Sequence, residues 1–207
     1  MLSCTCFLFS SALFAQDTSK QLKPAIHLIT VSLPITQSHF YTTDVSRVFN
    51  QGFKLYPNVT LQYDYISNNL LTASFVLSEE NHSAISTRFL DYNLHFITTE
   101  LLTGFNLLRA EDDSSSAAVI ARSTIGPYIS YLFYAEEGGY EIDHSNLNKW
   151  PIGITLSFSL IVFPSNIHRK TLYNIDLKIH HSFFKILDFK IDAYSLSFLS
   201  LKLFASI

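Results

Sequence analysis

Residues 150–164 read WPIGITLSFSLIVFP, and this stretch limits the possible folds more than any other part of the chain. It is strongly apolar, yet a small or polar residue interrupts it at almost every second position. Successive side chains of a β-strand point to opposite faces, so a period of two is typical of a strand with one apolar and one polar face. We expect the apolar face to consist of Ile152, Ile154, Leu156, Phe158, Leu160 and Val162, and the polar face of Gly153, Thr155, Ser157 and Ser159.

The same period recurs along the chain and predicts a series of strands. We count nine periodic segments, or ten if Gly126-Pro127 is a turn, because a proline cannot donate to a β-ladder and must bend or divide the segment that contains it. Residues 59–65 and 71–78, on either side of a short polar link, predict a hairpin. The last segment loses its phase near Phe198-Leu199, as a β-bulge would allow. No convincing amphipathic helix is visible.

The lengths of the links between these segments differ. Short links are expected at 67–69 and 164–169, and long ones at 34–52 and 136–149. This alternation of short and long links is typical of membrane β-barrels, which have short periplasmic turns and longer outer loops.

Composition decides between two environments for such strands. The chain is 48% hydrophobic and only 15% charged, whereas a typical soluble domain is about 25% charged. The polar faces consist mostly of Ser, Thr, Asn and Gly, which fit a crowded barrel interior better than open water. A lipid-spanning strand needs about 9–11 residues and a spanning helix about 20 apolar ones. The sequence therefore predicts a closed, antiparallel transmembrane β-barrel of eight to ten strands in an up-and-down meander.

Residues 25–207 resemble the small outer-membrane β-barrel proteins of bacteria. The resemblance depends on IGPYISYLFY, on WPIGITLSFSLIV followed by a turn and LYNIDLKIHH, and on the alternating C-terminal strand. It implies a location in the bacterial outer membrane, contacts with outer-membrane lipid and lipopolysaccharide, and insertion by the barrel-assembly machinery. The sequence does not identify a ligand of the outer loops.

The N-terminal segment predicts export. Residues 1–15 are uncharged and precede a polar stretch, so we expect a signal peptide cleaved after Ala15, a polar leader at 16–24 and the barrel domain at 25–207. Both cysteines, Cys4 and Cys6, lie in the expected signal peptide, which excludes a disulfide scaffold. The net charge of −3 without a basic block excludes a nucleic-acid partner.

One short motif, KIHHSFF at 178–184, predicts a possible catalytic site. His180 and Ser182 lie two residues apart, hence on one face of a strand, where a histidine can act as general base for a serine nucleophile. The motif resembles the His-x-Ser portion of the lipid A 3-O-deacylases. That resemblance implies His180 as the base and Ser182 as the nucleophile, and Asp188 or Asp192 is the candidate orienting acid.

The sequence predicts neither a cofactor nor a metal site. His180 and His181 point to opposite faces of a strand and cannot bind one ion together. The remaining candidates are scattered without the spacing of metal ligands: His82, His95, His144 and His168.

Three functions are compatible with these observations. The first is a non-enzymatic structural or surface-exposed outer-membrane barrel that binds through its outer loops. Side chains fill the interior of so small a barrel, so a general diffusion pore is not expected. The second is a lipid A deacylase-like esterase centred on His180 and Ser182, and the third is a soluble secreted β-barrel that binds an apolar ligand.

Overall fold

The computed structural model describes residues 25–42, 49–50, 56–67, 70–86, 91–111, 118–142, 147–163, 171–184 and 189–206. The expected signal peptide and leader, residues 1–24, lie outside the described residues. Within the described ranges, no helix is long and apolar enough to cross a membrane.

Twelve β-strands form the described part of the chain. They are β1 (Ile26–Ser32), β2 (Ile35–Thr42), β3 (Phe49–Asn50), β4 (Tyr56–Pro57), β5 (Val59–Ile66), β6 (Leu71–Ser86), β7 (Asp91–Glu111), β8 (Ala118–Glu137), β9 (Tyr140–Glu141), β10 (Ile152–Phe163), β11 (Thr171–Ser182) and β12 (Phe189–Ser206). All of them belong to one curled sheet, so the expected all-β class is confirmed.

The sheet is antiparallel throughout, and most neighbours in the sheet are neighbours in sequence. Its hydrogen-bonded path runs β1-β5-β6-β7-β8-β10-β11-β12-β2-β4. Strand β12 pairs with β2 along residues 189–196 and with β1 along residues 200–206. Strands β1 and β2 therefore pair with two successive parts of β12. Strand β1 is therefore paired on both sides, with β5 and with β12.

The two faces of the curled sheet differ as the alternation predicts. In β10, Thr155, Ser157 and Ser159 are buried on the concave, inner face, while Phe158 and Leu160 are exposed on the convex, outer face. The same division holds for β5, the first half of β6 and β11, whose burial alternates in the predicted phase. The faces of these strands are thus confirmed, and polar residues predominate on the inner face.

Strand β12 contains the expected loss of phase. Ser197 and Ser200 are both buried although they are three residues apart. The pairing of β12 with β11 is irregular at this point, between the Ser197 and Leu199 partners. The predicted bulge is confirmed.

Gly126-Pro127 neither divides nor ends its strand, contrary to one alternative of the sequence analysis. Both residues lie inside the continuous strand β8 and pair in register with Thr155 and Ile154 of β10. A Cβ atom on Gly126 would lie 1.9 Å from the carbonyl oxygen of Leu101 in β7. The glycine lets the backbones of β7 and β8 approach closely, which keeps the strand continuous beside the proline.

Two expected long links contain strand structure. Residues 34–52 were expected to be a loop, but 35–42 form β2, which pairs with β12. Residues 136–149 contain a tight hairpin in which Glu136 and Glu137 pair with β9. Gly138 and Gly139 turn the chain with φ values of 59° and 86°. Glycine adopts such left-handed conformations without steric strain, which explains the reversal.

Buried apolar clusters lie towards both ends of the inner face. The terminal cluster lies near the start of β1 and the end of β5, and it consists of Ile26, Leu28, Ile66, Ile120 and Ile161. The distal cluster, at the opposite end, consists of Phe40, Tyr92, Leu94, Phe96, Leu132, Ala135, Leu147 and Ile191. Tyr92, Leu94 and Phe96 of β7 thus pack inward, unlike Phe158 and Leu160 of β10 on the outer face.

A substitution at Gly153 tests how closely the inner face is packed. A Cβ atom there would lie 2.1 Å from the carbonyl oxygen of His181 and 2.6 Å from the Tyr128 ring. We expect Gly153→Ala to lower the free energy of unfolding by about 1–3 kcal/mol, because the extra methyl group forces backbone or ring to shift. Urea unfolding of the refolded protein, followed by the fluorescence of Trp150, measures this.

The matched control for Gly153→Ala is Ile152→Ala, one residue away on the outer face. We expect the glycine variant to lose more stability than the control. A Gly153→Ala protein as stable as the wild type would show that the close packing is not present.

Candidate functional site

Charged side chains are buried on the inner face between the terminal and distal clusters. Alternation places them there, because each lies in phase with the small polar residues of its own strand. The described members of this set are Asp64 in β5, Glu80 in β6, Glu100 in β7, Arg122 in β8, and Asp176, Lys178 and His180 in β11.

Asp64 and Arg122 form an ion pair on the side of the terminal cluster. Arg122 Nη1 donates to Asp64 Oδ1 at 2.7 Å. The same carboxylate accepts from Ser74 Oγ at 2.6 Å and from Gln62 Nε2 at 2.8 Å. Both partners are almost fully buried, so these hydrogen bonds replace the water that the two charges lost on folding.

Asp176 is balanced mainly by hydroxyl groups. Its Oδ1 atom accepts from Ser157 Oγ at 2.7 Å and from Ser159 Oγ at 3.0 Å. Both serines come from the polar face of β10 that the sequence predicted. Small hydroxyl residues thus serve a definite purpose here, since they fit the narrow interior and donate to a buried carboxylate.

Glu80, Glu100, Lys178 and His180 form a central cluster, as they are called below. Lys178 Nζ lies 3.4 Å from Glu100 Oε2. His180 Nε2 lies 3.5 Å from Glu100 Oε1, and His180 Nδ1 lies 3.7 Å from Glu80 Oε2. The imidazole ring therefore lies within 4 Å of both carboxylates.

Glu80 is fixed by two further side chains. Ser78 Oγ donates to Glu80 Oε1 at 2.7 Å, and His82 Nε2 lies 3.1 Å from Glu80 Oε2. His82 Nδ1 in turn lies 2.7 Å from Ser38 Oγ. With Ser38 as the donor to Nδ1, a neutral His82 can donate its Nε2 proton to Glu80, so the whole chain of contacts is satisfied.

Two small cavities adjoin the central cluster. One, of about 10 Å³, is lined by Glu80, Glu100, Asp176 and Lys178 among others. The other, of about 20 Å³, is lined by Glu80, His82, His180 and Ser182 among others. Each has room for about one water molecule or one ion, and neither can hold an organic ligand.

The structure places His180 and Ser182 on the same inner face, as the sequence predicted, and His181 on the exposed outer face. Ser182 Oγ donates to the backbone oxygen of Phe184 at 2.9 Å. The backbone of Asp192 pairs with His181. Asp188 and the side chain of Asp192 lie outside the described part of the chain, so their proposed role as orienting acid stays a prediction.

Sequence reasoning missed Glu80 and Glu100 as neighbours of His180. Their phase within β6 and β7 indicated that they lie on the inner face, but only the pairing register brings them to β11. His82, which had no ligand spacing in the sequence, also reaches this group through Glu80.

No protein-family model and no curated protein sequence matches the chain. Similar folds are found among solved structures of small bacterial outer-membrane β-barrel proteins. The outer membrane protein OprG of Pseudomonas aeruginosa aligns at a TM-score of 0.57 with 10% identity, over 87% of this chain and 97% of OprG.

Two further solved structures align at lower scores. The Neisserial surface protein A aligns at a TM-score of 0.46 with 11% identity, over 87% of this chain and all of its own. The attachment invasion locus protein Ail of Yersinia pestis aligns at a TM-score of 0.45 with 11% identity over the same shares. At these identities, the similarity to OprG shows the fold alone.

The Asp64–Arg122 pair makes a test of the inner-face charges possible. We expect Arg122→Met to lower the free energy of unfolding by about 3–5 kcal/mol, because it leaves the Asp64 carboxylate buried without its counterion. Adding Asp64→Asn to this variant removes the unpaired charge, so we expect the double variant to regain part of the loss. Urea unfolding in detergent micelles measures both.

Lys149→Met, outside the inner face, removes a positive charge without this effect and serves as the control. Equal stabilities of Arg122→Met and Lys149→Met would contradict the buried ion pair.

Proposed function

We propose that the chain is a closed β-barrel of a bacterial outer membrane with a non-enzymatic, structural or surface-exposed role. The observation on which this depends is the distribution of residues between the two faces. Large apolar side chains are exposed on the outer face of every long strand, while polar and charged ones are buried on the inner face. A soluble barrel would need the reverse, because water would meet the outer face.

The strand pairing supports closure. With β1 paired to both β5 and β12, the eight strands β1, β5, β6, β7, β8, β10, β11 and β12 each have a neighbour on both sides. A closed ring of strands has no free edge, which is the condition for a sheet to stand in hydrocarbon. Eight strands lie within the expected number of eight to ten.

The filled interior argues against a general diffusion pore. Charged groups and hydroxyls occupy the middle of the inner face, and the buried apolar side chains of the terminal and distal clusters lie towards its two ends. The binding surfaces of such a barrel are its lipid-facing wall and its outer loops. We therefore keep outer-membrane lipid and lipopolysaccharide as the proposed partners, export by a signal peptide as the proposed route, and the barrel-assembly machinery as the proposed route of insertion.

Arginine substitutions test the membrane location. Phe158 lies near the middle of β10 on the outer face and is 44% exposed, and Tyr140 lies in the β9 hairpin and is 79% exposed. We expect Phe158→Arg to destabilise the protein folded in lipid vesicles by about 2–4 kcal/mol, and Tyr140→Arg by about 0–1 kcal/mol. The reason is that only the first substitution places a charge in hydrocarbon.

The measurement is reversible folding into vesicles at increasing urea. Equal effects of the two substitutions, or extraction of the native protein from cells without detergent, would support the soluble secreted barrel instead. The polar inner face offers few contacts to an apolar ligand. The soluble secreted barrel is therefore less well supported than the membrane barrel.

The second candidate function is a lipid A deacylase-like esterase. Its support is that His180 and Ser182 share one face of β11. Against it, Ser182 Oγ is hydrogen-bonded to a backbone carbonyl, and both nitrogens of His180 face glutamates instead of the serine.

Lipid A analysis separates the two functions. We expect the same acylation of lipid A, by mass spectrometry, in cells that make the wild type and in cells that make Ser182→Ala, at matched protein levels. Loss of one ester-linked acyl chain with the wild type only would establish the esterase and reject the non-enzymatic function.

A further inference from the structure

We propose that Glu80, Glu100 and His180 bind one divalent transition-metal ion inside the curled sheet. Each of the three side chains offers one ligand atom, and these atoms all lie within 4.8 Å of one another. The pair of His180 Nε2 and Glu100 Oε1 is 3.5 Å apart. Two ligands of a zinc ion, each about 2.0–2.2 Å from it, lie about 3–3.5 Å apart, so this pair needs almost no movement to hold an ion.

Two buried polar atoms beside this group point to a ligand. His180 Nε2 and Thr155 Oγ1 have no hydrogen-bond partner, although His180 is 5% exposed and Thr155 is fully buried. Thr155 lies directly opposite His180 in the pairing of β10 with β11, and both side chains are on the inner face. A buried polar atom without a partner is unfavourable, because it has lost its hydrogen bonds to water. An ion bound by His180, with a coordinated water molecule near Thr155, satisfies both atoms.

The charges of the inner face favour a cation of charge two. Among the described residues, four acidic side chains (Asp64, Glu80, Glu100 and Asp176) and two basic ones (Arg122 and Lys178) are buried. These carboxylate, guanidinium and ammonium groups together carry an excess of two negative charges in a region of low dielectric constant. Such an excess is strongly unfavourable unless it is balanced, and one divalent ion balances it.

The surroundings hold the ligands in place. Ser78 and His82 each donate to one oxygen of Glu80, and Lys178 Nζ lies 3.5 Å from Glu100 Oε1 and 3.4 Å from Glu100 Oε2. Hydrogen bonds of this kind orient metal-binding carboxylates and increase affinity. His180 Nε2 and Glu100 Oε1 lie 3.5 Å apart between these anchored carboxylates.

The ligand set and the space select the class of ion. The adjoining cavities, of about 10 and 20 Å³, admit a bare ion with about one water molecule. One imidazole with two carboxylates suits Zn²⁺, Mn²⁺ or Fe²⁺, whereas Ca²⁺ requires six to eight oxygen ligands. The ion would join β6, β7 and β11 across the inner face and so act as a structural centre.

Zinc binding to paired histidine variants tests the proposal. Untagged protein is refolded in detergent, stripped with a chelator, incubated with Zn²⁺ and dialysed, and the bound metal is measured by mass spectrometry. We expect one zinc ion per wild-type chain and per His181→Gln chain, because His181 is on the outer face. In His180→Gln we expect at least a tenfold loss of affinity, measured by competition with a chromogenic chelator.

Folding is checked independently by the circular dichroism spectrum and by the shift in gel mobility of unboiled samples. Wild-type protein that folds but retains no zinc overturns the proposal, as does equal loss of zinc from both histidine variants.

Should His180→Gln fail to fold, the X-ray absorption spectrum of the zinc-loaded wild type decides. One imidazole nitrogen together with carboxylate oxygens supports the site, whereas oxygen ligands alone overturn it. Neither result depends on where in the cell the protein is located.

Discussion

The pairing of buried charges on the inner face is the interaction on which the rest of the structure depends. Moving an ionised group out of water is unfavourable by several kcal/mol even after relaxation, and only close partners with good geometry offset this. The structure meets the requirement locally, with Arg122 beside Asp64, Lys178 beside Glu100, and serine hydroxyls beside Asp176. The partners of each pair come from different strands, so the charges can be satisfied only when the whole sheet is assembled.

The same charges determine the register of the strands. A slip of one residue moves every side chain of a strand to the other face. In β11 such a slip would expose Asp176, Lys178 and His180 on the outer face and bury Leu177 and Ile179 among polar groups. Because this error would break ion pairs and place charges on the apolar surface, it is disfavoured far more strongly than a slip in a strand without charges. The exception is the irregular pairing of β12 with β11, where Ser197 and Ser200 of β12 both point inward and β11 contains one extra residue.

How much of this could be predicted differs between the strands and the site. The faces of β5, β10 and β11 followed from their sequences, because the strand period is a property of the backbone. Strand β2 did not, since ITQSHFYT contains few apolar residues and its apolar ones do not alternate regularly. The inward packing of the distal cluster was also missed, because alternation gives two faces without saying which is inside.

The site was predictable only in part, for a related reason. His180 and Ser182 lie on one strand, so their common face followed from their spacing. Glu80 and Glu100 belong to other strands, and their distance from His180 depends on the register of each intervening pair. Sequence spacing contains no information about that register until the long-range pairs are known.

The apolar clusters at the two ends of the inner face limit which molecules can reach the interior. Any ester substrate that reached His180 and Ser182 along the inner face from the distal end would have to displace the distal cluster, which includes Phe40, Tyr92 and Phe96. Truncating a packed aromatic side chain to alanine costs about 3–5 kcal/mol. Displacing several such side chains is therefore strongly unfavourable. An acyl chain that approached the outer face would meet His181, because His180 is buried on the inner face. The described side chains of the interior therefore serve packing and charge balance.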